Sequence, residues 1–286
     1  MIYRYLLIIL GVCLAIYGAC DAGAHKKGEG ITIPDTYLRA VIEDSLNKAR
    51  GEVITAAEMA TLTRLEAPNS RVRDLTGIEY ATELTVLNLG YVLTNGGRVN
   101  SNGISDLSPL SGLTKLTELN LFRNTIADLS PLSNLTELRV LDISGNSYIS
   151  DLSPLSGLTG MRTLHLYTND VSDLSPLSGL TELRWLDLSS NLIWDLSPLA
   201  SLTELGGLAV NNNAVSDLSP LSGLPRLKRV HGRDCDVSDL SPLVENAGMR
   251  GENSLIDLRD NPLSDVSINK HIPVLRERGV RVRVDN

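Results

Sequence analysis

Hydrophobic and polar residues alternate in short stretches along most of this chain. In one such stretch the inward positions are Leu116, Leu119 and Leu121, and the outward positions are Glu118, Asn120 and Phe122. This period of two predicts a short strand that buries leucines on one side and exposes its other side chains. Ser130 and Pro131 follow, and about six residues then remain before the next strand. Because serine and proline favour helix starts, they predict one 3₁₀ turn in which the serine hydroxyl accepts a backbone N–H.

The pattern repeats at a nearly constant distance. The segment Asp-Leu-Ser-Pro-Leu occurs seven times, beginning at Asp106, Asp128, Asp151, Asp173, Asp195, Asp217 and Asp239. Five of the six intervals are 22 residues and the other is 23. A fixed period of this length predicts stacked coils, each touching its neighbours, because an isolated coil would leave its leucines in water. Each leucine buried by stacking contributes roughly 1.5–3 kcal/mol.

One position of the repeat is occupied by asparagine in seven coils. Its members are Asn102, Asn124, Asn146, Asn169, Asn191, Asn213 and Asn261. An amide side chain both donates and accepts, so these residues are expected to satisfy backbone groups where each strand ends. Cys235 takes the same position before Asp239, as the leucine-rich repeat pattern allows. We expect a buried, unreactive thiol there.

These units carry a family resemblance. The unit LxxLxLxxNxIxDLSPLSGLT resembles the 22-residue leucine-rich repeats of the bacterial internalins. Residues 31–65 resemble the helical cap that precedes internalin repeats, and residues 77–88 resemble the family's first repeat. The fold class predicted from repeat and resemblance is an α/β solenoid. It is a right-handed leucine-rich repeat superhelix, with parallel strands on the concave face and short 3₁₀ turns on the convex face. Such arrays present a surface.

The N-terminal residues indicate export. Arg4 precedes an apolar run over residues 6–17, which is too short to span a membrane and predicts a signal peptide over residues 1–20. Residues 16–20, ending in Gly18-Ala19-Cys20, resemble a bacterial lipobox, which implies lipid attachment at Cys20. The alternative is ordinary cleavage after residues 22–24. We expect an extracytoplasmic protein of a bacterial cell envelope, held on its membrane as a lipoprotein.

The remaining chain divides into four predicted parts. Residues 21–30 form a tether, 31–65 a helical N-terminal cap, 66–265 the repeats and 266–286 a C-terminal cap. Thr55 and Glu58 have the spacing of a capping box. In the last part, Ser267 is expected to start a helix that carries Ile268, Ile272 and Leu275 and stops at Gly279, with a kink or a later start because of Pro273. The insertion Tyr91–Ser101 is either a binding loop or a tolerated surface loop.

Composition excludes several classes of function. The net charge is −8 and no clustered basic face is evident, so nucleic-acid binding is not expected. Cys13 falls in the signal peptide, Cys20 at the lipid site and Cys235 in the asparagine position, which leaves no pair for a disulfide. No phosphate-binding glycine loop and no CxxC pair is present. We expect no cofactor and no metal, and a monomeric chain.

Outward strand positions supply the candidate binding residues. They are expected to form three columns along the concave face, which carry Glu118, Phe122, Asp142, His165, Tyr167, Trp185, Asp187, Arg229 and Arg233. The single Phe and one of the two Trp are among them, although aromatics make up 4% of the chain. Aromatic side chains on a strand face are typical anchors of protein interfaces. The sequence therefore predicts a protein partner. The alternatives are a cell-surface polysaccharide, whose sugar rings would stack on the aromatics, and a purely structural envelope protein.

An enzyme is the less favoured interpretation. Asp142, His165 and Asp187 fall in one column, with Ser144 and Ser189 in the next, which are the residue types of a hydrolase triad. An open strand face offers neither an oxyanion site nor exclusion of water. We therefore predict a non-enzymatic protein.

Overall fold

The computed structural model describes residues 29–91 and 101–285. The predicted signal peptide, Cys20 and all but the end of the tether lie outside these residues. So do the central residues of the insertion after Tyr91. Within the described ranges, no helix combines the length and the apolar character needed to cross a membrane.

The described residues form one sheet of ten parallel strands, in which neighbours in sequence are neighbours in space. The predicted solenoid is confirmed. The strands are β1 Arg64–Glu66, β2 Val86–Asn88, β3 Glu118–Asn120, β4 Val140–Asp142, β5 Thr163–His165, β6 Trp185–Asp187, β7 Gly207–Ala209, β8 Arg229–His231, β9 Leu255–Asp257 and β10 Arg281–Arg283.

Short helical turns connect the strands. Six copies of the repeated segment form the predicted 3₁₀ turns, at Ser108–Leu110, Ser130–Leu132, Ser153–Leu155, Ser175–Leu177, Ser197–Leu199 and Ser219–Leu221, and Ile78–Tyr80 forms another. The seventh copy forms the helix α3, Ser241–Glu245.

The prediction that the serine hydroxyl accepts a backbone N–H is wrong. Asp128 accepts both the Ser130 N–H at 2.8 Å and the Ser130 hydroxyl at 2.9 Å. A carboxylate two residues upstream has an oxygen for each donor, so the aspartate caps the turn.

The inward residues of successive strands form a continuous core. Leu119, Leu141 and Leu164 are aligned in the sheet, and each is at most 1% exposed. Each leucine is covered by the coils before and after it rather than by its own coil. Stability therefore depends on stacking between neighbours.

The asparagines form the expected ladder between coils. The Asn146 side-chain oxygen accepts the Ile126 N–H at 3.1 Å, and its amide nitrogen donates to the Ile143 carbonyl at 2.8 Å and to Leu121 of the preceding coil at 3.3 Å. Each asparagine thus joins two coils. Cys235 is buried at its place in the ladder and its thiol donates to the Val210 carbonyl. Burial raises the pKa of the Cys235 thiol, which favours the unreactive protonated form.

The one 23-residue coil accommodates its extra residue after Asn146. Ser147 has a positive φ of 63°, and Tyr148 is 65% exposed. The side-chain oxygen of Asn169, in the next coil, has no hydrogen-bond partner although the residue is 5% exposed. Strand register is nevertheless the same on both sides of this coil. The extra residue therefore disturbs the ladder locally and leaves the sheet intact.

Two helices precede the sheet. The helix α1, Thr36–Ser45, buries Leu38 and Ile42 completely, and the Asp35 carboxylate accepts the backbone N–H groups of its first turn. The helix α2, Ala56–Met59, begins at a complete capping box in which Thr55 and Glu58 exchange hydrogen bonds. The helix α1 packs against β1, whose Leu65 is buried, and α2 packs against the 3₁₀ turn Ile78–Tyr80.

The C-terminal helical segment differs in part from the expectation. A π-helical turn, Ser267–His271, leads into the helix α4, Ile272–Glu277, and accommodates Pro273, which has no N–H to donate. Ile272 and Leu275 are buried, but Ile268 is 47% exposed. Ile268 therefore belongs to the helical segment but lies at its surface. Gly279, with φ 82°, ends the segment as expected.

The capping box predicts an acid-sensitive N-terminal end. Hydrogen bonds from Lys48 and then from Thr55 lower the pKa of Glu58 from 4.5 to about 2. Its stabilising effect is therefore complete above pH 4.5 and is lost as the pH falls towards 2. We expect Glu58→Gln to be less stable than the wild type at pH 7, with the difference shrinking below pH 4.5. Urea unfolding across this range measures the effect, which solvent screening keeps modest. Glu182→Gln is the control, and a difference for Glu58→Gln that does not change with pH would contradict the assignment.

Candidate functional site

The sheet aligns the candidate residues in the expected columns. We call the outward side of the ten strands the strand face. Its first column runs through Glu118, Val140, Thr163, Trp185, Gly207 and Arg229, and its second through Asn120, Asp142, His165, Asp187, Ala209 and His231. Backbone hydrogen bonds just past the strands extend the register to a third column, Phe122, Ser144, Tyr167, Ser189, Asn211 and Arg233. Neighbouring members of a column are about 4.8 Å apart.

Three aromatic rings meet in the third column. The ring centroids of Phe122 and Tyr167 are 5.4 Å apart, and those of Phe122 and Tyr91 are 6.1 Å apart in an edge-to-face arrangement. The Arg123 guanidinium lies 4.9 Å from the centroid of Tyr91 and 5.4 Å from that of Phe122. We call Tyr91, Phe122 and Tyr167 the aromatic cluster. Its rings hold one another in place, so they form a rigid apolar surface.

Trp185 lies flat on the sheet rather than projecting from it. A side-chain carbon added at Gly207 would meet two ring carbons of Trp185 at 2.3 Å, so the indole occupies the space that glycine leaves. The Trp185 ring centroid is 6.3 Å from that of His231, which lies two strands further along the sheet. Burial lowers the pKa of His231, so this imidazole is neutral at pH 7. Trp185, Phe122 and Tyr167 are half-buried, and their predicted exposure was too high because each ring rests on its neighbours.

Two carboxylates flank His165 in the second column. Asp142 accepts the Ser144 N–H and Asp187 accepts the Ser189 N–H, each through one oxygen at 3.0 Å. The other oxygen of each carboxylate remains available on the strand face. Neither aspartate forms an ion pair with any described residue. Glu118, one strand before Asp142 and in the first column, is exposed and adds a third negative charge.

The basic end of the strand face is partly neutralised within the chain. Arg233 pairs with Asp260 at 3.0 Å, and Arg259 donates to the buried Asp257 at 2.8 Å. The hydrogen bond from Arg259 lowers the pKa of Asp257 and keeps its carboxylate charged. Arg229 is exposed and forms no ion pair with the described residues. This end of the strand face therefore carries less unpaired positive charge than its count of arginines suggests.

The geometry gives no support to a hydrolase. No hydrogen bond joins His165 to Asp142 or Asp187 among the described residues, and the Ser144 hydroxyl is fully buried. Within the same ranges, no group of three or more His, Cys, Asp or Glu side chains is arranged to hold a metal ion.

The structure thus brings some of the predicted residues together and leaves others apart. Phe122 contacts Tyr167, and Asp142, His165 and Asp187 are neighbours in one column. Glu118 and Arg229 lie at opposite ends of the candidate region. Sequence reasoning missed the contributions of Tyr91, Arg123 and His231, because each depends on a contact between side chains of different coils.

Comparisons with known proteins agree with this architecture. A family profile for leucine-rich repeats, in two copies, matches residues 98–134, 114–157 and 136–179. The crystal structure of internalin C2 from Listeria monocytogenes is similar, with a TM-score of 0.70 and 36% identity over 75% of this chain and 91% of that one. Internalin InlF from the same species has a TM-score of 0.68 and 32% identity, over 88% of this chain and 75% of that one.

A more distant likeness shows the fold alone. A leucine-rich repeat protein from Leptospira interrogans has a TM-score of 0.55 at 17% identity, over 71% of this chain and 61% of that one. No match is found among curated proteins.

Proposed function

Because this chain belongs to the internalin family of non-enzymatic leucine-rich repeat proteins, we propose that it binds a protein partner through its strand face. The contact region runs from the aromatic cluster to Arg229 and includes the acidic pair Asp142 and Asp187. The chain acts as a monomer in this proposal, since one strand face presents the whole region.

The observation that carries the proposal is the placement of the chain's rare aromatic residues. Phe122, Tyr167 and Trp185 lie half-buried on one face, fixed by each other or by the sheet beneath them. Side chains that are already ordered lose little conformational entropy on binding. Large rigid rings next to charged groups are typical of the energetically dominant part of a protein interface.

We further propose that the module is exported and anchored in the cell envelope by a lipid on Cys20. The support is the sequence resemblance of residues 16–20 to a lipobox, together with the bacterial surface proteins of the same family. The mass of the mature N-terminal peptide separates a lipidated Cys20 from cleavage after residues 22–24. This part of the proposal is independent of how the strand face binds.

Replacement of Trp185 tests the proposed surface. A crosslinking pull-down from the native envelope identifies the partner, and its affinity for purified variants is then measured by surface plasmon resonance. We expect Trp185→Ala and Tyr167→Ala each to weaken binding at least about tenfold, because hot-spot aromatics contribute that much or more.

The matched control is Trp194→Ala. Trp194 is 66% exposed and lies outside the strand, so the same truncation there is expected to leave affinity unchanged. Loss of retention on a polysaccharide matrix, in place of protein binding, would favour the glycan alternative. Unchanged binding in both strand-face variants would reject the surface.

A further inference from the structure

A buried hydroxyl without a partner lies within the strand face. Ser144 is an outward residue of the third column, between Phe122 and Tyr167 on the strands to either side. It is 0% exposed, and its hydroxyl forms no hydrogen bond. The ring centroids of Phe122 and Tyr167, the residues on either side of it in the column, are 5.4 Å apart. A polar group left unsatisfied in the free protein costs stability, so its retention points to a ligand that would satisfy it.

The surroundings of this hydroxyl are acidic. Asp142 lies two residues before Ser144 on the same strand and Asp187 lies two strands along, each with one carboxylate oxygen available. Burial, and then the negative charge of Asp142, raises the pKa of the Tyr167 phenol; the positive charge of Arg123 opposes this in part, and Asp187 acts in the same direction as Asp142. A cation would therefore be attracted to the space beside Tyr167.

The chain already shows what kind of cation these rings accept. The Arg123 guanidinium lies 4.9 Å from the ring centroid of Tyr91 and 5.4 Å from that of Phe122. A planar guanidinium stacks on aromatic faces and is more weakly hydrated than an ammonium group. Among the described residues, no guanidinium is stacked on the Tyr167 ring itself.

The spacing of the two carboxylates also favours a guanidinium. Asp142 and Asp187 are two strands apart, which separates their Cα atoms by about 10 Å. A guanidinium has nitrogen donors on opposite edges and can direct one to each carboxylate at about 2.8 Å. An ammonium group is a point charge and pairs closely with one carboxylate at a time.

We propose that this site receives an arginine side chain of the protein partner. The guanidinium stacks on Tyr167, pairs with Asp142 and Asp187, and donates to the Ser144 hydroxyl when the Phe122 and Tyr167 rings separate. This inference rests on the proposed protein-binding function and specifies the residue type that the partner presents at the centre of the strand face.

Small probes test the site without the partner. NMR titration with N-acetyl-arginine methylamide is expected to shift the backbone signals of residues 142–144, 165–167 and 187–189. The neutral citrulline analogue should produce no shifts, and the lysine analogue should bind about tenfold more weakly, since it loses one charged pair.

Protein variants test the two carboxylates. Asp142→Asn and Asp187→Asn keep a side-chain oxygen that can accept the backbone N–H two residues on, so both variants are expected to fold. Each should weaken arginine binding about tenfold, whereas Asp170→Asn, which removes the same charge from another face, should not.

Ser144→Ala adds a readout of opposite sign. Removing the unsatisfied hydroxyl is expected to raise the Tm by about 2–4 °C while weakening the arginine probe. Equal binding of arginine and citrulline, or shifts confined to residues away from Asp142 and Asp187, would overturn the proposal. So would full arginine affinity in the Ser144→Ala variant. Such outcomes leave the proposed protein binding testable, because loss of partner affinity in Trp185→Ala does not depend on the arginine site.

Discussion

Asn146→Ala is expected to lower the free energy of unfolding by about 2–4 kcal/mol, because it leaves one buried N–H without a partner, at about 1–3 kcal/mol, and removes hydrogen bonds to two carbonyls. The side chain is 1% exposed, so water cannot readily replace it. The N–H of Ile126 loses its hydrogen bond to the side chain, whereas the carbonyls of Leu121 and Ile143 each lose one of two donors and keep Asn124 and Asn169. Urea unfolding followed by circular dichroism measures the loss.

Asn169→Ala provides an internal comparison for that result. The Asn169 amide nitrogen donates to the carbonyls of Ile143 and Leu166, but its oxygen has no partner. The same truncation therefore leaves no N–H without its partner, and both carbonyls keep a second donor, from Asn146 and Asn191. We expect it to cost about 1–2 kcal/mol less than Asn146→Ala. Equal losses at the two positions would show that the accepted N–H contributes little.

Leu164→Ala is the second large effect. Leu164 is 0% exposed and is aligned with Leu141 and Leu186 in the neighbouring strands. Truncation leaves a cavity that two coils share, and a buried leucine replaced by alanine typically costs about 2–5 kcal/mol. Because each coil contacts its neighbours alone, the coil of Leu164 has no other source of compensation. Chemical unfolding of the purified variant gives the value.

The control for this prediction makes the same change on the surface. Leu192 is 61% exposed, and Leu192→Ala is expected to stay within about 0.5 kcal/mol of the wild type. A small loss for Leu164→Ala, comparable to that of Leu192→Ala, would mean that the coils do not depend on shared leucines.

The backbone arrangement could be predicted because one short pattern recurs many times. The alternation around Leu119 and Leu121 assigns each residue of the coil to the inside or the outside. The constant spacing then aligns Asp142, His165 and Asp187 without any structure. The ladder role of Asn146 also follows, since an amide is suited to a bend where donors and acceptors both end.

Contacts between side chains could not be predicted in the same way. The position of Trp185 depends on the absence of a side chain at Gly207, one strand further on. The stacking of Arg123 on Tyr91 joins the coil after the insertion to the first residue of the insertion. These contacts depend on the rotamer that each side chain adopts, and the repeat does not specify it.

Charge was the least predictable property of the strand face. Arg233, a predicted binding residue, and Arg259 count as two positive charges in the sequence. Asp257 and Asp260 partner them inside the same end of the sheet. The sequence places the charges in columns, but which charges form ion pairs depends on the conformation of each side chain.

The 23-residue coil has a consequence for how this molecule can diversify. Its surplus residue bulges outward after Asn146, and the strands on both sides remain in phase. Codon insertions at this bend are thus absorbed within a single coil. A foreign epitope or reporter peptide grafted between Ser147 and Tyr148 should leave the downstream architecture undisturbed.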